Sequence, residues 1–176
     1  GYPGFNTAEG DGALYDLTSG IQNTAIGYLA LTYNTTGSYN TASGADALRS
    51  NTAGSANTAS GVAALRDNTT GYFNTASGGA ALLSNTTGNF NTASGYGALT
   101  ALASGSSTIG IGANAGYFLT SGSNNIAIGS QGVGPESATI RIGMAGTQTP
   151  ASLAGIRGVT TGVANAIPVL VDTAGQ

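Results

Sequence analysis

The chain lacks four residue types on which many protein functions depend. Its 176 residues contain no Cys, His, Trp or Lys, and only 6% are charged, against about 25% in ordinary globular domains. Without Cys or His there is no zinc or haem ligand set, no thiol nucleophile and no Ser-His-Asp triad. Four arginines cannot neutralise many phosphates. We therefore expect no enzyme, no cofactor, no metal site and no nucleic-acid partner.

Long apolar runs are also missing. The stretch from Ala166 to Val171 is far too short to span a bilayer, and no signal peptide is evident. The chain begins with Gly1 rather than Met, so we expect a processed or trimmed piece. The absence of cysteine fits an extracellular protein. We expect an extracellular, cell-surface or virion-surface location without membrane insertion.

A short motif recurs at a constant spacing of seventeen positions. It reads NTAIG or NTASG in most copies, and its spacing identifies a repeat architecture. The first residue of the motif is an asparagine in six copies, at Asn6, Asn23, Asn40, Asn57, Asn74 and Asn91. Its closing residue keeps the spacing longer, at Gly10, Gly27, Gly44, Gly61, Gly78, Gly95, Gly112 and Gly129.

Two further columns run in the same phase. An Ala-Leu pair recurs, with its leucine at Leu14, Leu31, Leu48, Leu65, Leu82 and Leu99. A second glycine closes turn-like tetrapeptides such as Asn34 to Gly37. Because these asparagines, glycines and leucines share one period, we predict that they are the structural positions of the repeat. No binding residue is singled out.

The period predicts a β-solenoid. A seventeen-residue coil is too short for a helix pair, and Gly, Thr, Ser and Asn are poor helix formers. We predict a first strand at Thr41 to Gly44, a second around Ala45 to Arg49, and a turn at Asn51 to Gly54. Stacked coils would place like residues about 4.8 Å apart as parallel, in-register strands.

Isoleucines in later coils suggest which side of the first strand faces inward. Ile109, Ile111, Ile126 and Ile128 occupy the positions of Thr41 and Ser43 in earlier coils. Because side chains alternate along a strand, they share one face. We expect that face to be buried in the isoleucine coils, whereas in the Thr/Ser coils the sequence leaves burial or exposure open.

Each coil offers few large apolar side chains. Burying a leucine or phenylalanine gains about 1.5–3 kcal/mol, while ordering each residue costs about 1–2 kcal/mol of backbone entropy. Burial between chains would help to offset this cost. We therefore predict a homo-oligomer of parallel rolls, with a monomeric two-sheet solenoid as the alternative.

The motifs NTAIG, NTASG and NNIAIG resemble the head repeats of trimeric autotransporter adhesins, the YadA-like head, over residues 6–130. That resemblance implies a left-handed parallel β-roll with three chains about a common axis. Most coils depart from the family pattern by placing a polar residue before the closing glycine. These residues are Glu9, Ser43, Ser60, Ser77 and Ser94.

The period breaks after Gly129, and three prolines follow. We therefore divide the chain into a β-roll at 1–134 and an irregular neck at 135–176. The neck resembles the segment before a self-cleaving intramolecular chaperone in bacterial and phage tail-fibre-like proteins. The resemblance implies a matured or truncated fibre.

Several positions have competing interpretations. The Thr-x-Ser columns could order water as in ice-binding proteins, or could mark close contact between coils or chains. The Asn column could bind a ligand, but turn capping and stacked amide ladders explain it better. The acidic residues are too scattered for a calcium roll. Tyr33, Tyr39 and Tyr72 could form a sugar- or protein-binding stripe, or could pack under the turns.

The leading functional hypothesis is a structural extracellular fibre or adhesin segment that presents a multivalent surface. Its partners would be copies of itself, together with a cell-surface protein or glycan. A self-assembling extracellular filament is the alternative, and an ice-binding solenoid is a weaker one.

Overall fold

The computed structural model describes residues 3–144 and 147. Within them the regular structure consists of nine short parallel strands in one sheet, in the order β1 to β9, with no helix. The strands are β1 Thr7–Glu9, β2 Thr24–Ile26, β3 Thr41–Ser43, β4 Thr58–Ser60, β5 Thr75–Ser77, β6 Thr92–Ser94, β7 Ile109–Ile111, β8 Ile126–Ile128 and β9 Ile140–Ile142. The predicted all-β solenoid of seventeen-residue coils is confirmed.

Successive strands pair in perfect register. Thr41 lies opposite Thr58, and Ala42 opposite Ala59, so each position of the repeat forms a column along the roll. The register advances by one full repeat at every step from β1 to β8. The glycines of the motif therefore align because the strands that precede them align.

The core is a narrow column of alanine and leucine. The middle residue of each central strand is buried, and so is the Ala-Leu pair of the following turn. In the third coil these residues are Ala42, Ala47 and Leu48, all with no exposed surface. Because the strands approach the turns closely, only a methyl group fits at the strand position, and leucine fills the remaining width.

The prediction of a second strand in each coil is wrong. Residues 45–49 form a turn, because Asp46 and Leu48 adopt left-handed backbone conformations with φ of 58° and 50°. The turn nevertheless bonds to its neighbours, since the Leu48 N–H donates to the Ala64 carbonyl at 3.0 Å. Twenty described residues other than glycine have positive φ, a conformation that is uncommon for such residues.

The glycine after each of the strands β1 to β6 is required by its conformation and by its neighbour. Gly44 has φ of +134°, a region that is nearly restricted to glycine. A Cβ atom there would lie 2.6 Å from the carbonyl oxygen of Gly61 in the next coil. The close stacking of the coils therefore depends on this column.

The sheet continues past the end of the predicted β-roll. Strand β9 pairs with β8 through Ile126 and Ile140, so the last coil is three positions shorter than the regular repeat. The shorter coil is held by Glu136, which accepts from Arg141 Nη2 at 2.7 Å. The end of the regular period is thus not the end of the sheet. Of the neck predicted at 135–176, only residues 135–144 and 147 are described.

Candidate interaction surface

The outward side of the sheet is an exposed surface, here called the strand face. It consists of the first and third residue of each strand. In β3 these are Thr41 and Ser43, both exposed, while Ala42 between them is fully buried. The same alternation holds in β4, β5 and β6. Four neighbouring coils therefore expose parallel columns of threonine and serine.

The strand face becomes apolar in the last three strands. Ile111 is 44% exposed, Ile128 37% and Ile142 69%, whereas Ile109 and Ile126 are half-buried. The expectation that this face is buried is therefore wrong for the single chain. The alternation of the strand directs its middle residue into the core, so both flanking residues face outward.

The asparagines of the motif are buried and form an amide ladder. The Asn57 Nδ2 group donates to Asn40 Oδ1 at 3.2 Å and to the Gly71 carbonyl at 2.8 Å. In turn, Asn57 Oδ1 accepts the Asn74 backbone N–H at 2.9 Å. These asparagines have no free surface to offer a ligand.

A second amide ladder, which was not predicted from the sequence, runs through the turns. The Asn51 Nδ2 group donates to Asn34 Oδ1 at 2.7 Å and to the Gly54 carbonyl at 2.9 Å. The ladder ends at Asn85, whose buried Oδ1 has no partner in the described part of the chain, because Leu102 occupies the next position. The recurrence of asparagine at this position in four consecutive repeats was the available signal.

The charged side chains form local pairs at the surface. Arg66 Nε lies 2.8 Å from Asp67 Oδ1, and Arg49 Nη1 lies 3.3 Å from Asp46 Oδ1. The hydrogen bond to Asp67 raises the pKa of Arg66. Each side chain is about a third exposed, so these pairs contribute little stability. Among the residues that the structure describes, no three acidic side chains converge as a metal site would require.

The aromatic side chains lie outside the core. Tyr33, Tyr39 and Tyr72 are 43%, 58% and 41% exposed. The interpretation that they pack under the turns is therefore wrong. The other exposed aromatic residues include Phe5, Tyr15, Tyr28, Phe73, Phe90, Tyr96, Tyr117 and Phe118. Two clusters form among them, one at Tyr72, Phe73 and Phe90 and one at Tyr117 and Phe118.

Comparison with protein-family models, with curated proteins and with solved structures found no match to this chain. Within residues 3–144 and 147, no helix has the length and apolar character needed to cross a membrane.

Proposed function

We propose that the chain is a segment of an extracellular fibre or adhesin in which three copies pack side by side through their strand faces. The observation that carries the proposal is the column of isoleucines in β7 to β9, of which Ile111, Ile128, Ile140 and Ile142 are 37–69% exposed. A second copy with the same neutral, apolar face would cover them at a gain of about 25 cal/mol per Å² of apolar surface.

The remainder of the strand face is compatible with such packing. Threonine and serine flank the buried alanine in β3 to β6, and their small side chains allow sheets to approach closely. No charged residue lies on the strand face between β2 and β8, so association would bury no unpaired charge there. The resemblance to trimeric adhesin heads sets the proposed number of chains at three.

In this proposal the function resides in stiffness and multivalency. Hydrogen bonds of the strands and turns connect each coil to the next, and the two amide ladders add further bonds between the central coils. Such a rod holds surface groups at fixed intervals, and linked copies bind a repetitive target more tightly than one copy does. No catalytic role is proposed.

Light scattering on the purified chain tests the proposal. We expect a particle of three times the 17.0 kDa chain mass. The double variant Ile111→Asp with Ile128→Asp should dissociate it, because each interface would bury unpaired carboxylates. The matched control is Val62→Asp, which changes an exposed aliphatic residue away from the strand face and should leave the mass unchanged. A monomeric wild-type chain would contradict the proposal, and long filaments would favour end-to-end assembly.

The exposed Thr and Ser columns support one other candidate, an ice-binding surface. Thr41, Thr58, Thr75 and Thr92 stand in register and are exposed on the strand face. Packing of copies through the strand face would cover these columns, so the two candidates exclude each other. Thermal hysteresis of a freezing solution measures ice binding directly, and its absence would eliminate this candidate.

A further inference from the structure

Three aromatic side chains contact each other outside the core. They lie on the segments that come just before the strands, here called the corner. Tyr72, Phe73 and Phe90 are 41%, 57% and 53% exposed. The Phe73 and Phe90 rings are stacked, with centroids 5.4 Å apart and planes within 7°. Tyr72 meets both rings edge-on. The chain thus maintains an ordered aromatic platform in contact with solvent.

The stack follows from the repeat. Phe73 and Phe90 occupy the same column, with φ of 55° and 57°, so their rings project alike from successive coils. One face of Phe73 is covered by Phe90. The other face is directed toward the preceding coil, where the column carries Ala56, and the coil before that carries Tyr39 with φ of 62°. Alanine in this column leaves a slot between two aromatic residues.

The width of the slot limits the inserted group to a single ring. Two coils separate the Tyr39 and Phe73 backbones by about 9.6 Å at 4.8 Å per coil. Carbon contacts of about 3.5–4.0 Å on each side leave about 2 Å for the thickness of the inserted group. One six-membered ring, flat or puckered, enters a space of this size, so the polar groups beside the slot decide which kind of ring binds. The half-buried Ala56 forms the floor.

Polar groups beside the slot are available to hydroxyls. In this corner a backbone N–H usually donates to a side chain of the next coil, as Ser38 N does to Ser55 Oγ at 3.1 Å. The Ser55 N–H faces the Tyr72 position, which provides no acceptor, and it has no partner among the described residues. At the other end of the cluster, Asn89 Oδ1 accepts the Tyr72 N–H at 2.9 Å, which leaves its Nδ2 group to donate outward.

The surroundings carry no charge. No Asp, Glu, Lys or Arg occurs in residues 34–45, 51–65 or 68–94, the segments that build this corner in coils three to five. From these observations we propose that Tyr39, Ala56 and Phe73 form a subsite for a neutral pyranose unit of a glycan. The proposal deepens the adhesive function proposed above and rests on it, but it requires only one chain.

The test is a saturation-transfer NMR titration of the full chain with cellohexaose, mannohexaose and a galacto-oligosaccharide, with an oligogalacturonate, in which every unit is charged, as the comparison. We expect binding of at least one neutral sugar and none of the oligogalacturonate. Tyr39→Ala and Phe73→Ala should each weaken binding about tenfold, the loss typical of one aromatic contact of about 1.4 kcal/mol. Tyr96→Ala, at an exposed tyrosine on another side of the coil, is the matched control and should change nothing.

Ala56→Phe provides a sharper variant. It removes no aromatic contact and extends a stack that Phe73 and Phe90 already form in the same column, so the fold should accept it. Because the new ring would fill the slot, we expect binding to be abolished while circular dichroism and thermal unfolding stay unchanged. Undiminished binding by this variant would overturn the proposal.

Other outcomes also decide it. Absence of binding to every neutral sugar at millimolar concentration, or binding only to an aromatic peptide supplied as a probe, would overturn the subsite. A change of particle mass in Phe73→Ala would assign the rings to contact between copies and overturn it as well. A monomeric chain that binds sugars would refute the proposed trimer but not the subsite. A trimer that binds no sugar would refute the subsite but not the trimer.

Discussion

The side-chain oxygen of Asn40 accepts two hydrogen bonds from Asn57, one from its backbone N–H at 3.0 Å and one from its side-chain amide at 3.2 Å. Each asparagine thereby fixes the position of the next coil twice. Because Asn57 has no exposed surface, water cannot replace these bonds. The ladder therefore makes a loss at one coil costly for its neighbours.

Asn57→Ala should destabilise the chain by roughly 2–4 kcal/mol, because the buried Asn74 N–H would lose its partner and the Gly71 carbonyl would keep only the bond from Asn68. Guanidinium unfolding followed by circular dichroism, at equal protein concentrations, measures the change. Thr70→Ala is the control, since Thr70 is exposed and the equivalent position in an earlier coil is already Ala53. Equal effects of the two variants would contradict the structural role of the ladder.

Gly61→Ala should lower the free energy of unfolding by about 3 kcal/mol or more. Gly61 has φ of +133°, and a Cβ atom would lie 2.6 Å from the Gly78 carbonyl carbon, so backbone strain and overlap add. Gly129→Ala has open space around the new methyl group and φ of +59°, and should cost about 1–2 kcal/mol. Thermal unfolding of both variants gives the comparison, and a milder effect at Gly61 would refute the close stacking.

Two neighbouring alanines should respond to glycine in opposite directions. Ala80 has φ of 55° and is half-buried, so Ala80→Gly relieves about 1–2 kcal/mol of left-handed strain against an entropic loss of about 0.5–1 kcal/mol. We expect unchanged or slightly higher stability. Ala81→Gly removes a fully buried methyl group and should cost about 1–2 kcal/mol. Denaturant midpoints measure both, and a loss at Ala80 comparable to that at Ala81 would contradict the prediction.

The short last coil should weaken in acid. The hydrogen bond from Arg141 holds the pKa of Glu136 below its ordinary value of 4.5. The stabilisation is therefore complete above that ordinary value and is lost as the pH falls through the lower folded value. Glu136→Gln should be less stable than wild type at neutral pH, and the difference should shrink as the pH falls below that ordinary value. A difference that is constant with pH would show that the Glu136 charge does not contribute.

The repeat length was sufficient to predict parallel, in-register coils, because equal spacing of Asn, Gly and Leu leaves few other ways to align them. It was not sufficient to predict the path between strands. The left-handed conformations of Asp46 and Leu48 occur at residues that rarely adopt them, so a turn was interpreted as a second strand. The same limit applied to the aromatic corner, since Phe73 and Phe90 could have packed inward.

The sequence by itself determined which residues stack on which, because a constant seventeen-residue period brings like side chains together whatever the detailed shape of the coil. Only the tertiary structure decided which side of each strand is the core. The alternation of side chains along a strand permits either side of the strand to face the core. The choice depends on the width between strand and turn, which admits the methyl group of Ala42 or Ala59 and leaves no room for isoleucine. The isoleucines therefore face outward.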